Sequence, residues 1–127
     1  MEGTNMGQYY RTVNLDKKQY LHPHKFDDGL KLMEFASSSC GTLRALAILL
    51  ADGNGRGGGD LRSEDELVGS WAGDRIVITG DYADVGKFTN SIGKDGKPSN
   101  LYSATEGDDF EDISDRVRAV LTQAGEE

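Results

Sequence analysis

The chain has 127 residues, 36% of them apolar and 28% charged, with a formal net charge of −8 at pH 7. That length makes one domain of ordinary size, able to bury a core without disulfides or metals. Cys40 is the only cysteine, which excludes an intrachain disulfide and favours a reducing compartment. No apolar run reaches the roughly 20 residues needed to span a bilayer, and residues 1–6 lack the apolar core of a signal peptide.

In chain order, residues 8–15 read as a strand. Tyr10, Thr12 and Asn14 fall on one face, and Tyr9, Arg11, Val13 and Leu15 on the other. Asp16, Lys17 and Lys18 form a turn, and residues 19–24 a short extended segment ended by Pro23. Residues 30–35 alternate as a strand, with a short helical turn as the alternative. Residues 42–51 are the firmest helix, with Arg44 as its only charge, so burial on most sides is expected. Residues 67–71 and 75–80 read as two strands. The β-branched Ile76, Val77 and Ile78 place the second of these in the core. Asp95-Gly96 is a hairpin signal between residues 88–92 and 101–103, unless the whole region is a long loop. Phe110, Ile113, Val117, Val120, Leu121 and Ala124 form the apolar stripe of a last helix, capped by Asp108 or Asp109 and ended at Gly125.

The expected fold is therefore α+β. It is a single compact domain over residues 1–127, with an antiparallel or mixed sheet packed on a buried central helix and a C-terminal amphipathic helix. Residues 1–6 are expected to be flexible and residues 53–60 to be a glycine-rich loop.

The charge is unevenly placed. Residues 51–127 carry seventeen acidic and eight basic side chains, and six of the ten residues 106–115 are acidic with none basic. This sign opposes phosphate-backbone binding and an anionic membrane surface. It fits either a solvated acidic surface or a face for a basic partner, built on Asp108, Asp109, Glu111 and Asp112. Part of that cluster also suits the positive end of the last helix.

Five of the residues 53–59 are glycine, interrupted by Asn54 and Arg56. A phosphate-binding glycine loop feeds a helix N-terminus, whereas this stretch follows a helix, whose carbonyl end repels anions. Asp52, Asn54 and Gly57 match positions 1, 3 and 6 of a calcium loop. Arg56 at position 5 and Ser63 at position 12 do not. The stretch reads as a helix exit that could fold back as a lid.

The other end of the same helix is better suited to an anion. Ser37, Ser38, Ser39, Gly41 and Thr42 lead into its N-terminus, and Arg44 or Arg56 could add charge. The competing reading is simple capping. Cys40 at that position could be an activated thiol, although a phosphatase-like spacing fails because position 46 is Leu46. His22 and His24 could share a metal with Asp27 and Asp28, but structural histidines are the simpler reading. Asp81 and Asp84 follow a strand, where a catalytic carboxylate could sit, yet nothing pairs with them in an identifiable pattern.

No complete catalytic constellation emerges. The expected function is a small acidic cytoplasmic binding module, non-catalytic and without cofactor or metal, acting through a protein partner or homodimer. Two alternatives are a binder of a small anionic ligand, a nucleotide or phosphate ester, at residues 35–44, and a small enzyme using Cys40 or Asp81 and Asp84.

Overall fold

Alternation of side chains from Tyr10 onward builds the strand on which the sheet is assembled. β1 (Tyr10–Asn14) turns at residues 15–18, where Asn14 Oδ1 accepts a bond from the Lys17 amide (2.8 Å), and returns as β2 (Gln19–Leu21). The structure, a computed structural model, describes residues 8–36, 41–53 and 63–123. After β2 come a 3-10 turn (Pro23–Phe26), α1 (Leu32–Ala36), α2 (Thr42–Leu50), β3 (Ile76–Gly80), α3 (Leu101–Ala104), β4 (Glu111–Asp112) and α4 (Ser114–Gln123). The four strands form one mixed sheet in the order β3-β1-β2-β4. The β1 pairings are antiparallel, and β2 pairs with β4 in parallel. The fold class is α+β, as the residue pattern indicates.

The register assigns each side chain to a face. Thr12 lies opposite Leu21 and Ile78, and Val13 lies opposite Tyr20 and Val77. Leu21 belongs to the main core, with Ala45, Ile48 and Leu49 of α2 and Ile113, Val117 and Val120 at and within α4. Ile76 packs against the edge of this core. The opposite face carries Arg11, Val13, Tyr20 and Thr79 and is partly covered by α3, which packs on β3.

Several expectations change in the structure. Residues 30–35 hold the helix α1 from Leu32 onward rather than a strand, and Glu34 Oε1 reaches back to accept from the Lys31 amide (3.0 Å) and closes the first turn. α2 is buried on one face only. Thr42, Ala45, Ile48 and Leu49 point inward, while Leu43 and Leu50 are 38% and 39% exposed. Residues 67–71 form turns rather than a strand. Their amides cap the far end of α2: Gly69 N donates to Ile48 O (2.9 Å) and Trp71 N to Leu49 O (2.8 Å). A helix end leaves such carbonyls without partners, so this segment gains more by capping than by pairing. β3 is an edge strand, not a core strand, and Ile78 is 42% exposed.

The hairpin expected around Asp95-Gly96 reduces to one bridge, Ile92 with Pro98, and residues 101–104 are helical. α4 starts at Ser114, later than an Asp108 or Asp109 cap would place it, and the amide of Ser114 donates to Asp112 Oδ1 (2.9 Å). Residues 1–6, most of the glycine stretch and Gly125 lie outside the described residues.

Trp71 is fully buried, and its indole nitrogen donates to Gln19 Oε1 (2.8 Å). Two residues earlier the backbone of Gly69 has a φ of +77°, and a Cβ there would stand 2.6 Å from the Ala51 carbonyl oxygen. Gly69→Ala is expected to lower unfolding free energy by about 1–3 kcal/mol, measured by urea denaturation, because both the backbone angle and the close approach resist a side chain.

Candidate binding surface

At the start of α2 the chain uses one of its own carboxylates. Asp28 Oδ2 accepts from the amide of Thr42 (2.8 Å). Gly41 precedes it with φ +89°, and a Cβ there would meet Asp28 Oδ2 at 2.6 Å and the Phe26 carbonyl oxygen at 2.9 Å. The place at the helix N-terminus that suits an external anion thus holds Asp28. Thr42 is buried and offers nothing to solvent, and Arg44 is half-buried. Ser37, Ser38, Ser39, Cys40 and Arg56 lie outside the described residues.

The four acids expected to face a partner are divided. Asp112 pairs with Lys25 Nζ (2.9 Å) and caps α4, and Glu111 lies 3.4 Å from Arg116. Asp108 and Asp109 are exposed. Asp81 Oδ1 accepts from the Tyr9 amide (3.1 Å), and Asp84 is exposed beside β3.

His22 and His24 stack, with ring centroids 5.7 Å apart, and His22 Nδ1 accepts from the His24 amide (3.3 Å), which caps the 3-10 turn. The His22 amide donates to Ser114 Oγ (2.8 Å). Sequence reasoning missed what lies beside them. Arg11 is buried between two rings, 5.2 Å from the Tyr20 centroid and 4.5 Å from that of Tyr102. Its Nη1 donates to Thr105 Oγ1 (2.7 Å), and Nη2 lies 3.6 Å from Glu106. The alternation of β1 gave the only warning, since it puts Arg11 on the same face as Val13. This cluster ties α3 to the sheet, and the stacking and hydrogen bonding of a guanidinium suit that role better than an ammonium would.

The second feature missed is apolar. Nine large apolar side chains are exposed among the described residues; Ile78 lies on β3, Tyr82, Val85, Phe88 and Ile92 in the segment that follows it, and Tyr9 beside Asp81. Ile78, Tyr82 and Phe88, with Tyr10, Asp84 and Lys87, line a depression of about 340 Å³ along β3. Val85 and Ile92 line a second, adjoining α3. Asn100 holds this region in place. Its Nδ2 donates to the carbonyls of Asp81 (2.9 Å) and Ala83 (3.0 Å), while its Oδ1 accepts from the Ser103 amide and caps α3. Gly86 N donates to Ser99 O (3.0 Å). The start of the segment after β3 is therefore tied to the residues that lead into α3.

No family model matches the chain, and no curated protein or solved structure is found to be similar to it. Among the described residues no helix is long and apolar enough to cross a membrane.

Burial, followed by the nearby Arg11 charge, holds the His22 pKa below the usual 6.5. The unfolded chain therefore takes up this proton first, and stability falls as pH drops below about 6.5 toward the lower folded value. Asp112 acts in a separate range: burial raises its pKa, but bonds from Ser114 and Lys25 outweigh that and hold it below 3.8. Its contribution is present above 3.8 and lost only as pH falls through its folded value. Thermal melts from about pH 7.5 to about pH 5 should show a declining midpoint that flattens in His22→Gln. An unchanged slope in the variant excludes His22 as the group. Asn100→Ala, which removes one cap and two tethers, is expected to cost about 2 kcal/mol in denaturant unfolding.

Proposed function

We propose that this chain is a small acidic, cytoplasmic, non-catalytic protein-binding module whose contact surface is the exposed apolar flank of the edge strand β3. The observation that carries this reading is the exposure of Ile78, Tyr82 and Phe88 around one depression along the edge strand β3, with Val85 and Ile92 exposed in the segment that follows it. Scattered exposed apolar residues are ordinary, but a group of them in one place marks an interaction surface. Edge strands are normally protected by charge, proline or a bulge. The β3 strand, Ile76–Gly80, has no charged residue and no proline. The acidic quartet supports the reading less, since Glu111 and Asp112 are engaged within the chain.

A photo-crosslinking residue at position 88, compared with one at the exposed Ala119 of α4, tests it. The expected result is a discrete protein adduct from position 88 in the native host, lost on Ile78→Asp, and none from 119. Absence of any adduct at 88 rejects this surface.

A further inference from the structure

We infer that the depression along β3 takes an arginine side chain of the protein partner, its guanidinium laid against the Tyr82 and Phe88 rings and paired with the Asp84 carboxylate. The inference rests on the binding reading above and names the chemistry that this surface recognises. Asp84 is its starting point. This residue is exposed and lines the depression with Tyr82, Lys87 and Phe88, and its carboxylate has no hydrogen bond or ion pair among the described residues. Other acids of the chain are engaged: Asp16 with Arg75, Asp74 with Lys17, and Asp112 with Lys25. Tyr82 and Phe88, which flank Asp84 in sequence, are 62% and 54% exposed.

One of the rings already shows which charge it attracts. Lys87 Nζ lies 5.5 Å from the Phe88 centroid, within the range of a cation–π contact. An ammonium is compact and strongly hydrated. A guanidinium is planar and less hydrated, stacks on an aromatic face and binds a carboxylate through two N–H groups at once. The chain uses that combination in its own interior, where Arg11 lies against Tyr20 and Tyr102 with Nη2 3.6 Å from Glu106. Tyr82, Phe88 and Asp84 offer the same kinds of group at the surface. Phe88 also has a φ of +67°, a left-handed conformation that bulky residues rarely adopt. Its ring is exposed, so core packing does not offset that strain, and strain of this kind gathers at ligand-binding sites. The volume of about 340 Å³ suits one long side chain. Aromatic faces also stack nucleic-acid bases, but a net charge of −8 repels the accompanying phosphates and attracts a basic segment. Lys87 then acts as an internal rival of the incoming guanidinium for the Phe88 face.

Amide NMR spectra of the full chain, titrated with a blocked glycine–arginine–glycine tripeptide, test the inference. Shifts should concentrate between Val77 and Phe88, with a dissociation constant on the order of 1 mM. The same tripeptide with citrulline or leucine in place of arginine should bind about tenfold more weakly or not at all. Asp84→Asn and Tyr82→Ala should each weaken arginine binding about threefold or more, whereas Lys87→Gln should strengthen it about twofold. Asp108→Asn, which removes the same charge elsewhere on the surface, should leave it unchanged; equal effects at Asp84 and Asp108 mean attraction by net charge alone and overturn the inference. Shifts spread over the whole surface overturn it too, as do equal binding of the citrulline or leucine peptide and weaker binding by Lys87→Gln. A chain that fails with arginine yet still crosslinks a protein through position 88 overturns the arginine site and leaves the binding reading intact, whereas absence of any adduct at 88 removes both.

Discussion

Enclosure of β1 on every side is the constraint from which the rest of the structure follows. It is hydrogen-bonded to β2 along one edge and β3 along the other, and Arg11, Thr12, Val13 and Asn14 are all buried. Three of those four residues are polar, so burial obliges the surroundings to supply partners. Asn14 receives Asp74, which also holds Lys17, and this fixes the segment entering β3 against the first turn. Arg11 receives Thr105, Tyr20 and Tyr102, which fixes α3 across the other face. The Thr12 hydroxyl finds no partner among the described residues and remains a local cost. Elements nearly a hundred residues apart in sequence are thus joined through the demands of one five-residue strand.

The two edges of the sheet end differently. On the β2 side, β4 adds a short parallel strand that leads directly into α4. On the β3 side no further strand follows among the described residues, and the start of the segment after it folds beside the edge, where the Ala83 amide donates to Gly80 O (3.1 Å) and Asn100 ties it down. The apolar side chains of that segment therefore stay at the surface although they are held in place. A surface of this kind, with ordered backbone and solvent-facing aromatic and aliphatic groups, lowers the entropy cost of engaging a partner.

The acidic composition also takes on a different meaning once the fold is known. Asp28 serves the N-terminus of α2, Asp112 that of α4, and Asn100 that of α3. Asp16 binds Arg75, and Asp74 binds Lys17. Several acids thus act as internal ligands for helix ends and lone cations rather than as a field for a partner. Capping by Asp28 is what separates the observed start of α2 from the anion site that its serines and glycine suggest.

The fold class, the first two strands, the position of β3, α2 and the body of α4 were legible in the sequence, because each follows from local periodicity and turn chemistry. Capping by distant groups was not legible: nothing near residues 67–71 announces that their amides serve the carbonyls of Ile48 and Leu49, and nothing near Thr42 points to Asp28. Nor does β-branching in Ile76, Val77 and Ile78 distinguish a central strand from an edge, since that depends on which strand supplies the neighbouring hydrogen bonds. The sequence alone determined a small, acidic α+β domain with a few well-marked elements. Which face of each element is covered, which acids are consumed internally, and that the apolar run of β3 lies at the rim of the sheet rather than at its centre were decided only by tertiary structure, because those outcomes depend on contacts between residues far apart in the chain.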